Sequence, residues 1–156
     1  MVGGARTADL PDRMAGIVQE FQEFEKEQRL ELLLEFSQGL PPLPQRYAEH
    51  PELLEPVPEC QSPIFVATEV EPAPDPLDGT VRVFFQAPRE APTTRGFAGI
   101  LAEGVDGLSV REVTALPDDV CSRLGLDEAV SPLRLRGMVG MLGRIKRQAA
   151  EKAAAT

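Results

Sequence analysis

The stretch SPIFVATEVEPAPDPLDGTVRVFFQA, residues 62–87, decides the fold. Its two apolar runs, Ile64-Phe65-Val66 and Val81–Phe85, are β-branched and aromatic and are bounded by proline and glycine. Side chains of this kind pack well on a pleated surface. Between the runs, Asp78-Gly79 is a turn dipeptide. The reading is two strands, at about 62–70 and 80–87, paired as a hairpin through a long loop that its prolines stiffen. Twelve of the 15 prolines of the chain fall between Pro41 and Pro92. Proline lacks the backbone donor and clashes with the preceding helical turn, so long helices are excluded from this part. A third short strand around Leu53–Pro58 is expected, confined to an edge position by its prolines.

Outward from the hairpin the apolar period changes from two to three and four. Met14, Ile17, Val18, Phe21 and Phe24, then Leu30, Leu33, Leu34 and Phe36–Leu40, predict helix over 11–38. Asp9 and Pro11 suit its start, and Gly39 with Pro41-Pro42 its end. The charged run Glu23–Glu27 is a place for it to bend or split. After the strands, Thr93 or Thr94 is the expected cap of a helix through about Glu103 that turns Phe97, Ile100 and Leu101 inward and stops at Gly104 and Gly107. Ser109 and Glu112 have the spacing of a capping box for a short helix, and Asp118–Leu124 reads as a further turn or two. Ser131-Pro132 opens the last helix, whose apolar stripe is Leu135, Met138, Val139, Met141, Leu142 and Ile145. Helices, strands and helices in that order predict an α+β fold. A small antiparallel sheet is covered by N- and C-terminal helices in a single domain over residues 1–156, with 1–9 and 151–156 expected to be disordered.

Composition narrows the chemistry. Two cysteines and one histidine in 156 residues cannot build a four-ligand Cys/His zinc site or a disulfide-rich scaffold. No segment approaches a membrane span of ~20 apolar residues, and MVGGARTADLPDR lacks the features of a secretory signal. A cytoplasmic location with free thiols is the expectation. The net charge of −9 is uneven: residues 1–78 carry 16 acidic against 5 basic side chains, and residues 79–156 carry 9 against 11. That balance argues against nucleic acid as a partner, because phosphate neutralisation needs a basic surface. The late basic residues Arg134, Arg136, Arg144, Lys146, Arg147 and Lys152 are either a solvated helix face or a cationic patch for a protein partner. There is no phosphate-binding glycine loop, nucleophile elbow or HExxH motif. His50, in YAEHPEL, reads as a surface residue, and Cys121, in DDVCSRLGL, as a small core hydrophobe. Cys60 sits on a proline-constrained turn at the entry to a strand, where a thiol is either packed or presented to another protein.

Several blocks together carry a family resemblance. Cys60-Gln61-Ser62 resembles the Cys-Gln-Ser motif of the SufE family, the sulfur acceptors that work with cysteine desulfurases. LELLLEFSQGLPPLP (30–44) is similar to that family's helix ending, Arg95-Gly96 to its Lys-Gly step, and Ser131-Pro132-Leu133-Arg134 with Gly137-Met138 to the opening of its last helix. The chain departs from the pattern at Glu59, usually glycine, at Glu90, usually aspartate, at Arg95 for lysine and at Leu133 for serine. Pro63 follows the triplet, and the loop 71–79 is longer and richer in proline. The resemblance implies a SufE/IscU-like fold and an acceptor in iron–sulfur cluster assembly. Cys60 would take persulfide sulfur from a SufS-like, pyridoxal-phosphate-dependent desulfurase, stimulate it, and pass the sulfur to a SufBCD-like scaffold complex. The chain itself would need no cofactor and no metal, and would act as a transfer partner rather than a stand-alone enzyme. Gln61, Ser62, Glu90, Arg95, Gly96 and Arg134 would support the site or bind the partner, with Arg95 and Arg134 as cations able to favour a Cys60 thiolate. Two other classes stay open on residues alone: an interaction module in which Cys60 is only packed, and a thiol enzyme for small molecules with His50 as its base.

Overall fold

The computed structural model describes residues 7–155. The two apolar runs pair as expected. Strands β1 (Glu55–Pro56), β2 (Phe65–Glu71) and β3 (Thr80–Gln86) form one antiparallel sheet in the order β1-β2-β3. Phe65 lies opposite Gln86 and Glu71 opposite Thr80. Pro56 is tolerated because β1 is an edge and pairs only with β2. The far edge, β3, is closed differently. Val81 donates to the Leu108 carbonyl (2.8 Å) and accepts from Gly107 (2.7 Å), and the Val83 N–H donates to the Asp106 carboxylate (3.0 Å). In the connecting loop Gly79 has φ −58°, so the turn does not need its left-handed freedom. It needs the missing side chain: a Cβ would sit 2.6 Å from Val70 Cγ1 and 2.9 Å from the Glu71 carbonyl.

Residues alternate across the pleat. Val66, Thr68, Val81, Val83 and Phe85 face the main core. Phe65, Ala67 and Phe84 face a smaller cluster with Tyr47 and Leu54. Helix α3 (Gln45–Ala48; α1 and α2 are given below) covers that side. Its Arg46 lies over the Tyr47 and Phe84 rings and pairs with Glu69 (2.7 Å), which also accepts the Tyr47 hydroxyl (2.6 Å).

The N-terminal helix does split in its charged run. Helix α1 (Asp12–Glu23) stops at Phe24, and α2 (Lys26–Gln38) restarts with a capping box between Glu25 and Gln28. Asp9 does not cap α1. Its carboxylate meets the Arg123 guanidinium at 2.8 Å, and Leu10 donates to the Thr7 carbonyl, so residues 7–9 form an ordered turn; the rest of the expected disordered tail, 1–6 and 156, lies outside the described residues. Helix α4 (Pro92–Val105) starts on Pro92 without a side-chain cap, and Thr94 is buried rather than capping. Gly104 does not end α4 but lies within it, where a Cβ would meet Met14 Cε at 2.5 Å; the chain turns at Asp106 and at Gly107, φ +92°. The capping box of α5 (Val110–Thr114) forms as read, with Ser109 Oγ accepting from Glu112 N at 3.1 Å. The segment Asp118–Leu124 is a 3₁₀ turn.

The last helix, α6 (Pro132–Ala154), is capped by Ser131. It buries Met138, Met141, Leu142, Ile145, Ala149 and Ala153 and packs Leu135 against the core, so of the expected stripe only Val139, 46% exposed, faces out. The expected disorder at 151–156 is also corrected. Residues 151–154 are helical, Lys152 Nζ donates to the Thr68 carbonyl at 2.6 Å, and Ala153 is buried. Among the described residues no helix is long and apolar enough to cross a membrane.

Helices α2 and α4 approach so closely that their contact is made by glycine. A Cβ on Gly99 would lie 2.1 Å from the Phe36 carbonyl oxygen, and one on Gly96 2.6 Å from that of Leu33. Backbone cannot rotate away as a side chain can. Gly99→Ala is therefore expected to lose about 1–3 kcal/mol in urea unfolding despite the better helix propensity of alanine. Gly16→Ala on α1, with nothing within 4 Å, is expected to gain up to about 1 kcal/mol.

Candidate functional site

Cys60 lies in the loop that joins β1 to β2. Val57 and Ile64, both buried, pin the base of that loop, and the Val57 N–H donates to the Ile64 carbonyl at 2.9 Å. Between them Pro58–Cys60 forms a single 3₁₀ turn, with Cys60 N donating to the Val57 carbonyl (3.1 Å) and Gln61 N to that of Pro58 (3.1 Å). The chain reverses at Gln61, φ 61°, the one non-glycine residue with positive φ among those described. For a residue other than glycine that conformation costs on the order of 1 kcal/mol.

The turn lies on glycines of α6. A Cβ on Gly137 would be 2.9 Å from Cys60 Sγ and 3.1 Å from its Cα, and a Cβ on Gly140 would be 3.0 Å from Glu59 Cδ. One turn further along, Arg144 pairs with Glu59 (2.9 Å) and with Glu55 of β1 (3.2 Å). Arg147 also pairs with Glu55, and Gln148 donates to it at 3.0 Å. The loop is thus held to α6 by apolar packing at Cys60 and by ion pairs at Glu55 and Glu59.

Burial, and then the neighbouring Glu59 carboxylate, push the Cys60 thiol up to about 11; the charge of Arg144 works in the opposite direction. At pH 7 roughly one thiol in ten thousand is ionised. The Arg144 hydrogen bond holds the Glu59 carboxyl below its ordinary value, so the charge beside the thiol persists at neutral pH. At rest the site holds a half-buried, neutral thiol.

The expected site residues fall into two groups. Cys60, Gln61 and Ser62 share the turn, and Arg134 is exposed on the first turn of α6, which is the helix beneath them. Glu90, Arg95 and Gly96 lie around the start of α4, which follows the end of β3 paired with Phe65. Arg95 donates to the Ser37 (2.9 Å) and Ala87 (2.6 Å) carbonyls, tying α2 to the end of β3, and Gly96 packs on Leu33. Neither Arg95 nor Arg134 is among the charges that act on the thiol; the cation that does is Arg144. Its signal was present in the sequence. Gly137, Gly140 and Arg144 recur at the spacing of one helix face, and Glu55 and Glu59 lie on the strand and turn that this face receives. Cys121 is buried and its thiol pushed up to about 12 by that burial, as befits a core hydrophobe. His50 is exposed and meets Glu52 at 3.1 Å.

Two readouts follow from the packed thiol. The alkylation rate of Cys60 by iodoacetamide is expected to keep rising with pH to about 11, well beyond the range of a free cysteine. Gly137→Ala must push the turn off α6, so its Cys60 is expected to be alkylated several-fold faster at about pH 7.5, with global stability changed by less than about 1 kcal/mol because alanine favours the helix.

Residues 15–149 match the SufE family model, described as an Fe-S metabolism associated domain. An uncharacterized SufE-like protein of Mycobacterium tuberculosis is 50% identical over 144 residues, which is 92% of this chain and 96% of the relative. SufE-like protein 1 of Arabidopsis thaliana, chloroplastic/mitochondrial, is 27% identical over 142 residues, which is 90% of this chain and 36% of the longer plant protein. The solution structure of a hypothetical protein from Thermus thermophilus superposes with a TM-score of 0.76 at 35% identity, covering 93% of this chain and 98% of the other. Shared sequence along nearly its whole length, and the same arrangement of helices about a three-stranded sheet, place this chain in the SufE family, whose domain is associated with iron–sulfur metabolism.

Proposed function

We propose that this protein is a cytoplasmic sulfur carrier. It accepts persulfide sulfur on Cys60 from a pyridoxal-phosphate-dependent cysteine desulfurase, stimulates that enzyme by clearing its product, and delivers the sulfur to an iron–sulfur scaffold. The observation that carries this reading is the position of Cys60: the thiol of the family's Cys-Gln-Ser motif, on a turn that rests on glycines and is fixed at its base rather than built into the core. The pyridoxal phosphate belongs to the partner.

The step is sulfur transfer between thiols. The Cys60 thiolate attacks the terminal sulfur of the partner's cysteine persulfide. A new S–S bond forms on Cys60, the old S–S bond breaks, and the electron pair leaves on the partner's cysteine as thiolate. The persulfide proton stays with the transferred sulfur or passes to solvent, and no external oxidant or reductant is consumed. The rate depends on thiolate fraction and access. Lifting the turn from α6 would supply both. A thiol restored to a pKa of about 8.5 has roughly 300-fold more thiolate at neutral pH than one at about 11. Folding the turn back afterwards would shield the persulfide from solution thiols.

The test is intact mass after mixing with a cysteine desulfurase and free cysteine. A gain of one sulfur atom is expected on the wild type and on Cys121→Ser, and none on Cys60→Ser, which should remain folded. No gain on any form would leave Cys60 a merely packed thiol.

A further inference from the structure

The face of α6 turned away from the core carries a shallow groove beside the Cys60 turn. Leu135 and Val139 with Gly140 and Gly143 form its floor, Arg136 and Arg147 flank it, and Glu59 and Arg144 close the end nearest the thiol. Val139 and, on the first turn of the same helix, Leu133 are each 46% exposed, apolar surface that the fold leaves uncovered. Arg134 and Arg136 have no side-chain partner among the described residues. Arg144 and Arg147 are paired with Glu55, Glu59 and Glu151, so the positive charge left to attract a partner in this chain of net charge −9 is that of Arg134 and Arg136, beside the apolar floor. That surface is complementary to an acidic segment with apolar anchors.

The groove ends at Glu59, the only acidic side chain in its lining among the described residues, and that carboxylate is bound to Arg144. Glu59 immediately precedes Cys60, so whatever holds Glu59 holds the turn. The pair is within reach of a competitor, because the Glu59 side chain is 42% exposed and that of Arg144 20%. A second carboxylate arriving along the groove would meet Arg144 at the same place.

We propose that the persulfide donor docks an acidic, apolar-anchored segment in this groove and opens the site by exchanging its own carboxylate for Glu59 on Arg144, which frees the Cys60 turn from α6. This rests on the sulfur-carrier reading and adds to it the chemistry of the partner surface and the trigger. Glu59 and Arg144 are positioning residues: they act on the thiol through the turn. Lifting the turn also takes the thiol out of the burial that chiefly holds it neutral, so release and activation come from one event.

Two measurements test the proposal. The first uses the protein alone. Alkylation of Cys60 by iodoacetamide is expected to quicken as NaCl rises from about 0.05 to 1 M, because salt screens the pair. Glu59→Gln is expected to react about fivefold faster at low salt and to lose the salt dependence. Wild-type reactivity and salt response in Glu59→Gln would overturn the trigger. The second compares sulfur acceptance from the same organism's cysteine desulfurase with acceptance from glutathione persulfide, which is too small to need the groove. Arg136→Glu and Val139→Ser are each expected to lower the ratio of the two rates about tenfold, through a higher KM for the desulfurase. A wild-type protein that takes no sulfur from the desulfurase refutes the carrier reading itself. A wild type that does, with the ratio unmoved in both variants, refutes the docking groove alone.

Discussion

The structure depends on α6 lying across the sheet. Met138, Met141, Leu142 and Ile145 fill the core beside β2, while Lys152 reaches the Thr68 carbonyl of that central strand. Burial of these large side chains fixes the rotation of the helix, at about 1.5–3 kcal/mol each. Once the rotation is fixed, Gly137 and Gly140 must face the loop between β1 and β2, and Arg144 must face Glu55 and Glu59. The functional turn has nowhere else to rest. The same rotation leaves Val139 and Arg136 outside, so one packing decision in the core sets both the seat of the thiol and the character of the neighbouring surface.

The electrostatics of the seat run against reactivity. A nucleophilic cysteine is ordinarily helped by a nearby cation, yet the residue next to Cys60 is an acid, and the arginine that offsets it is committed first to that acid and to Glu55. Burial adds to the same effect. Such an arrangement keeps the thiol unreactive toward small oxidants and electrophiles at rest, which the proposed carrier would need until it meets its donor. It also accounts for glutamate at a position where glycine would leave the turn free: on this chain Gly140 makes room for the carboxylate and Arg144 holds it.

Much of the fold was legible because local signals agreed with one another. The β-branched runs at 64–66 and 81–85, the break at Glu23–Glu27 and the Ser109 and Ser131 caps all rest on short-range stereochemistry, and each formed as read. The misses have a common cause in tertiary contact. Gly104 looked like a helix stop because glycine is a poor helix former, but the approach of Met14 requires it inside α4. Val139 fits the apolar period of α6, and only the way the helix packs on the sheet beneath decides that it faces out. The tail at 151–154 looked frayed by composition and is held by Thr68, far away in sequence. At the site, Cys60 was found from its motif and its turn. Arg144 was one of several late basic residues; it shares a helix face with Gly137 and Gly140, but only the packing of that face on the Cys60 turn gives it a role that the others lack. Arg95 matched a basic position by pattern, but three-dimensional contact commits its donors to the carbonyls of Ser37 and Ala87.

Both borders of the sheet are spoken for. On one, the strand is two residues long and contains a proline; on the other, Asp106–Leu108 supplies main-chain and carboxylate partners to Val81 and Val83. Strand addition, which makes tenacious complexes out of backbone hydrogen bonds, is therefore disfavoured at the β3 border, where those partners already stand. For the sulfur carrier proposed above, which would leave one protein in order to reach the next, a border already occupied by its own chain favours attachment through side chains on that side.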